Sequence, residues 1–505
     1  MNPPSDSSVQ PVAKLARVNH SPDISKENAD APITPGVLEP SKGRYVGRYS
    51  SIAFPLYVGM EVHATKPPRL HSFAYHTGIR KEPPCAVQPE IAERISWNST
   101  RSLIDAYASI IHPVFGFLDM DAFYTKCERH WHGQLQDMVF EAIASGVIAL
   151  ASLFNGGLEE DMEMWLVLHA KKVLEDCTIS RFPSAEQIAA WILRTLYIRC
   201  TGRPHVTWIS SCSIMHLVEA TGLHRTPESV LQTTGNTLNQ LTSSIANKTA
   251  QVAHCLHILI AFEYGRSIMA TNHQVLEHTD EECRRMDFTP QLCNLITTLP
   301  LSQHAGETVA LTQELLSSLE RISEITLEHD FLVLVKTDLV LGIYRRLRVL
   351  DSKIQPDHNE KVIAAGRHAL AAARRLVSQN KPWWNVVGSI FQFACTLLAI
   401  DTPTSCEILG ETMDTLELIV DHLDTHLAKE ALSTARQLVR ASLNKKKKGV
   451  EALERIVGTE APEIADSQMT DQLAQDIAAM SPSLAAQLPF DLETLWAMEF
   501  SLHYD

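Results

Sequence analysis

Gly202-Arg-Pro-His-Val-Thr-Trp-Ile-Ser-Ser-Cys-Ser-Ile-Met-His-Leu-Val-Glu-Ala-Thr-Gly-Leu-His-Arg225 is the stretch on which the reading of this chain turns. An apolar, helix-periodic segment ends near Cys200, and Gly202 and Pro204 follow it as helix punctuation. Residues 206–221 contain neither Gly nor Pro, and Gly222 stands where a terminator belongs. The local physics therefore predicts two helices joined by a tight turn. Trp208 is expected in the core and Arg203 at the junction of the helix ends. Leu223 and His224 follow the terminator.

Working outward, the same 3.6-residue period recurs. Ser99 or Thr100 can cap a helix carrying Leu103, Ile104, Tyr107, Ile110 and Ile111, which His112-Pro113 ends. Further helices are predicted over 161–177, from Pro183-Ser184 onward, and over 206–221, 250–264, 306–322, 331–350, 362–377 and 386–400. Residues 412–442 read as one long amphipathic helix or a pair. Strict apolar–polar alternation is almost absent, so strands should be scarce. The fold class is all-α, a large helical body of antiparallel helices. Residues 1–43, rich in Pro, Ser, Asn and Asp, are expected to be disordered, because they have too little apolar surface to offset ordering entropy. Residues 44–95 are expected to form an extended strap. The helical body is placed at 96–455 and an acidic C-terminal tail at 456–505.

The chain has 505 residues, enough for one large core or two. Its net charge is −15, a field that repels phosphates and disfavours autonomous nucleic-acid binding. No two of the ten cysteines stand three positions apart, and most lie in apolar helical text, as small hydrophobes do. With a polar, proline-rich start in place of a signal peptide, they indicate a reducing compartment. The apolar runs 142–154 and 386–400 fall short of the roughly 20 residues a bilayer span needs. They read as core helices, so no membrane partner is expected. His130-Trp131-His132 lacks a third ligand at useful spacing and reads as a surface or loop pair. No nucleophile elbow, phosphate-cradling loop or metalloprotease helix motif occurs. Neither catalytic residue, cofactor nor metal is predicted, and the chain is read as no enzyme.

The combined text from Gly202 through Arg225 resembles the central signature of the regulatory, middle homology region of fungal zinc binuclear-cluster (Zn2Cys6) transcription factors. Gly202, Arg203, Pro204, Trp208, Gly222, Leu223 and His224 carry the likeness. Pro113-Val-Phe-Gly-Phe-Leu-Asp-Met-Asp-Ala-Phe123, Glu263-Tyr-Gly-Arg-Ser267, Trp383-Trp-Asn-Val386 and Leu397-Leu-Ala-Ile-Asp-Thr402 add to it, and the similarity runs from 44 to 450. The resemblance implies a nuclear, helical regulatory domain working through protein–protein contacts, with itself or a related transcription factor as partner. Those proteins carry six cysteines on two zinc ions ahead of this region. A two-zinc site needs closely spaced Cys pairs, and residues 1–505 offer none. DNA would then be engaged only indirectly, unless the cluster is encoded in exons missing upstream.

Two further elements bear on output. Lys445, Lys446, Lys447 and Lys448 form a basic run that reads as a nuclear-localisation element or as a solvated inter-helix loop. Beyond Arg455 no Lys or Arg follows, and the tail interleaves Phe490, Leu492, Leu495, Trp496, Met498 and Phe500 with Asp491, Glu493 and Glu499. Phe490, Leu495, Trp496 and Phe500 are candidate activation residues for a coactivator groove. Docking of this segment on the body is the competing reading. The whole reads as a transcriptional regulator of a fungal metabolic or biosynthetic pathway, an activator through its tail. The alternatives are a coregulator of a DNA-binding partner and, from another class, a helical enzyme or small-molecule carrier.

Overall fold

The computed structural model describes residues 36–39, 44–47, 49–63, 79–80, 84–176, 182–225, 230–232, 244–269, 287–300, 308–350 and 354–458. The activation residues Phe490, Leu495, Trp496 and Phe500, and the segment 1–35 of the expected disordered start, lie outside them. The chain divides into two units, Met1–Leu438 and Val439–Asp505. The first holds the helical body.

The fold is all-α. Among the described residues the helices are α1 (Phe54–Glu61), α2 (Ile91–Arg94), α3 (Trp97–Ile110), α4 (Met120–Trp131), α5 (Met138–Asn155), α6 (Glu160–Leu174), α7 (Ala185–Thr201) and α8 (Pro204–Thr221). They continue with α9 (Ser244–Tyr264), α10 (Thr289–Thr297), α11 (Thr308–Glu324), α12 (Asp330–Val349), α13 (Pro356–Ser378), α14 (Asn385–Ile400), α15 (Pro403–Leu423) and α16 (His426–Gly458). Many consecutive helices pack on one another, among them α5–α6, α6–α7, α7–α8, α8–α9, α12–α13 and α14–α15, and α5 also contacts α3 and α7. Among the described residues three short strands, β1 (Gly36–Glu39), β2 (Arg44–Val46) and β3 (Val230–Gln232), form one small sheet in the order β2-β1-β3. β1 runs antiparallel to β2 and parallel to β3.

Local chemistry sets the boundaries. Ser96, Asp119, Asp137, Ser184 and Thr402 each accept a backbone N–H of the first turn of the helix that follows. The cap of α3 is thus Ser96 rather than Ser99 or Thr100, because Ser99 supplies the N–H that Ser96 accepts. Asp424, in the left-handed conformation at φ 48°, splits the expected 412–442 segment between α15 and α16. Residues 44–95 are less extended than expected: they contain β2, α1, which has Pro55 in its first turn, and α2, with irregular backbone at 84–90. Lys445–Lys448 lie within α16 and not in a loop.

α5 is apolar on nearly every side, with Ala142–Ser152 buried without interruption. It is long and apolar enough to cross a bilayer, yet 78% of it is inside the fold. Such a helix sits at the centre of a large core. A second focus is aromatic. Phe331 and Trp383 ring centroids lie 4.1 Å apart, Phe154 and Trp383 4.6 Å, and Phe115 stands 5.9 Å from Phe331. The loop Pro113–Asp119 therefore contributes to the core, with Phe115 and Phe117 essentially unexposed. Its Gly116 N–H donates to Thr289 Oγ1, and a Cβ on Gly116 would crowd that oxygen.

One charge enters α5. Glu141 is fully buried. Its Oε2 accepts from His169 Nε2 at 2.9 Å and from the Ile91 N–H at 3.3 Å, and its Oε1 lies 2.8 Å from His130 Nε2. His130 Nδ1 accepts the Gln136 N–H, so Nε2 faces Glu141 as the donor. His130 is thus a core residue of α4 and not half of a surface pair, while His132 is exposed. The cluster ties α4, α5, α6 and the start of α2. Burial alone would raise the Glu141 carboxyl, but the two histidines hold it down at about 2. A carboxyl lowered from 4.5 contributes stability that is present above the unfolded value and is lost as pH falls toward 2. Glu141→Gln is expected to cost about 3–5 kcal/mol at pH 7. It should also flatten the decline of wild-type stability between pH 4.5 and 2. Urea midpoints across that range measure both, and an acid limb unchanged in the variant would reject the assignment.

Candidate functional site

The signature stretch folds as the expected unit. Gly202 caps α7 with its N–H donating to Ile198 O at 2.7 Å. A Cβ there would meet that carbonyl oxygen at 2.9 Å. Arg203 is the extended residue before α8 and is exposed, and Pro204 fills the first helical position, where a missing N–H costs nothing. At the other end Gly222 takes φ 77°. The two groups of signature residues stand at opposite ends of an 18-residue helix, about 27 Å apart. They form two packing joints, not one pocket.

The first joint gathers α7, α8 and α9. Trp208 is half-buried rather than core. Its Nε1–H donates to Ser267 O at 3.3 Å, and the Arg266 guanidinium lies 5.7 Å from its ring centre. His257 Nε2 accepts the Met269 N–H at 2.9 Å, so Nδ1 donates to Ser211 Oγ at 3.0 Å, and Ser211 donates to Trp208 O. Burial, reinforced by His216, lowers His257 to about 4. The Glu263–Ser267 text thus turns back onto the signature helix.

Beside this joint sits a charge cluster that sequence reasoning missed. Arg199 pairs with Glu263 at 2.5 and 2.6 Å, with Tyr264 and Trp384 rings 5.3 and 5.2 Å from its guanidinium. Asp338 accepts from Ser389 Oγ at 2.5 Å. Burial, and then the nearby Glu263, push Asp338 up to about 7, against Ser389, Asn385 and Arg199. The cavity these side chains share measures about 20 Å³, room for one water and no organic ligand. α7, α9, α12 and α14 meet there.

The second joint fixes the sheet. Tyr45 of β2 lies edge-on to His224, ring centres 5.0 Å apart at 88°, and Arg225 stands 5.8 Å from the Tyr45 ring centre. Leu223 and His224 are buried. Between the joints α8 leaves His205, Val206, Ile209, His216 and Glu219 exposed along one side. Val206 and Ile209 are 42% and 56% exposed, an apolar surface at the start of the helix. Lys445, Lys446, Lys447 and Lys448 are exposed on α16. Among the described residues no group of three or more metal-ligating side chains converges.

A side chain at position 222 must adopt a left-handed backbone and would bring its Cβ to 3.1 Å from Tyr45 Cβ. Gly222→Ala is expected to lose about 1–2 kcal/mol by denaturant titration. A Tyr45→Ala, His224→Ala double-mutant cycle should give a coupling of about 0.5–1.5 kcal/mol. Additive losses in that cycle would separate the sheet from the signature.

With that geometry in view, comparison with known proteins is direct. Residues 104–302 match the family described as "Fungal specific transcription factor domain". The chain is 36% identical to Protein RDR1 of Saccharomyces cerevisiae over 422 residues, covering 83% of this chain and 76% of that one. It is 34% identical to Transcription factor kojR of Aspergillus oryzae, covering 88% and 80%. It is 28% identical to Protein RDR1 of Gibberella zeae, covering 85% and 78%. The family match takes in α8 from end to end, together with α7 and α9. This chain belongs to the fungal-specific transcription factor family, and it is a transcriptional regulator.

Proposed function

We propose that this regulator acts through protein–protein contacts of its helical body, in the nucleus, on a fungal metabolic or biosynthetic pathway, and that it is no enzyme. One observation carries the reading. The likeness to Transcription factor kojR covers 88% of this chain, yet no two cysteines in residues 1–505 stand three positions apart, the spacing by which one loop supplies two ligands to a zinc ion. At −15 net charge, residues 1–505 have neither a base reader nor an attraction for phosphates. DNA is reached through a related factor that carries the base reader, unless a zinc cluster is encoded upstream of residue 1; a second copy can pair with the helical body but adds no base reader. The exposed Val206–Ile209 side of α8 supports this, since exposed apolar surface marks interfaces. Sedimentation of the purified chain, with co-purification from nuclear extract, should give a dimer or a complex with a related factor. A monomer that recovers none, or a zinc-loaded chain that binds a defined DNA site by itself, would overturn the indirect mechanism.

Output is assigned to residues 456–505, an activation segment whose anchors are Phe490, Leu495, Trp496 and Phe500. Acidic neighbours keep such a segment solvated while a few aromatic side chains supply most of the affinity for a coactivator groove. Lys445–Lys448 serve as the nuclear-localisation element. Fused to an unrelated DNA-binding domain, residues 456–505 should activate a reporter. Trp496→Ala with Phe500→Ala should remove most of that activity, and Glu493→Gln should weaken it modestly. A silent fusion would withdraw the activator role.

A further inference from the structure

α16 is two different surfaces on one helix. Ala428, Leu432 and Ala435 in its first turns are buried. Beyond them Leu443, Val450, Leu453 and Val457 are 49%, 53%, 63% and 82% exposed. With Val439, these residues follow one another at intervals of 4, 7, 3 and 4 and so lie along one side of the helix. The same stretch is basic. Residues 439–458 carry six Lys and Arg, four of them Lys445–Lys448, against Glu451 and Glu454. Lys446 stands within the stripe, between Leu443 and Val450, with Lys445 and Lys447 to either side; such a surface accepts a segment that is apolar and acidic.

We infer that the end of this same chain occupies it: Leu492, Leu495 and Trp496 lie on the stripe, and Asp491, Glu493 and Glu499 meet the lysines. Three observations select this occupant. From 459 to 505 there are nine acidic residues and no Lys or Arg, opposite in sign to the helix. A second copy of the helix would bring like charge against like, six basic residues facing six. Reach is sufficient: the 33 residues from 459 to 491 span up to about 110 Å, whereas residues 439–458 of the helix measure about 30 Å. Covalent connection also gives the segment an effective concentration on the order of millimolar, which an untethered acidic partner must exceed. The inference concerns where the segment rests and does not depend on whether it activates transcription.

Zero-length carbodiimide cross-linking of the full chain, mixed as equal parts isotope-labelled and unlabelled protein, tests it. Lys445, Lys446 or Lys447 should join Asp491, Glu493 or Glu499 within single copies. The exposed Lys126–Glu186 pair, 2.7 Å apart in the helical body, reports in the same digest that the fold is intact. Leu453→Asp should lower the yield of the tail links about tenfold with the Lys126–Glu186 link unchanged. Because Leu453 is exposed, that variant keeps its core. Raising the salt should weaken the tail links, as expected for a lysine–carboxylate contact. Links only between labelled and unlabelled copies would make a second chain the occupant and overturn the inference. Tail carboxylates joined only to other lysines, or yields indifferent to Leu453→Asp, would overturn it as well. A silent reporter fusion bears on activation alone, since that fusion contains only the last turn of α16.

Discussion

The helical body depends on a helix with almost no polar side. α5 buries Ala142 through Ser152 in succession, so it must be enclosed by neighbours, and α3, α6 and α7 enclose it. Burying that surface is the main favourable term available to a domain of this size. The exception is Glu141, whose charge the core accepts only because His130, His169 and the Ile91 N–H surround it. The same residues that satisfy the carboxylate fix where α4, α6 and the 84–94 segment lie. Packing supplies the energy here, and one buried charge supplies the registry.

The signature helix α8 uses the opposite economy. It is apolar in composition but keeps one side exposed; the other side is buried from Thr207 to Thr221 against α7 and α9, and a joint stands toward each end. At one end His257 and Ser211 pass hydrogen bonds between α8, α9 and the 265–269 turn. At the other, Gly222 admits Tyr45 at van der Waals contact. An element that buries Ile214, Met215 and Val218 on one face and leaves the other open can present a surface while keeping its place in the core.

Much of this architecture was legible in the sequence, and the reasons are local. Periodicity located most of the helices, though not α1, α2 or α10; Gly202, Pro204 and Gly222 located the turns of the signature, and Ser184 announced the start of α7. Pairings between distant residues were not legible. His130 read as a surface residue because its partner Glu141 lies on another helix, and nothing local marks the pair. One signal existed: a single acidic residue inside Met138–Asn155, a stretch otherwise without charge, requires a partner once that stretch is buried. Arg199, Glu263 and Asp338 escaped notice likewise, since they come from three separate helices. The strands were invisible for a further reason: three or four residues are too few to show alternation.

The small sheet has a consequence for the order in which the protein assembles. β1 is its middle strand, and one of its two partners is β3, with Gly36 paired to Val230. During synthesis β1 and β2 emerge early, and a two-stranded hairpin alone is marginal in water. The third strand arrives only after α1 through α8 have been made. Closing so long a loop is among the slow steps of folding. Val37, fully buried in the finished protein, must therefore wait in an incomplete sheet while the first half of the helical body forms. The sheet closes as a latch on that half, and a chain stalled before residue 230 leaves an apolar strand edge open to chaperones and to neighbouring chains.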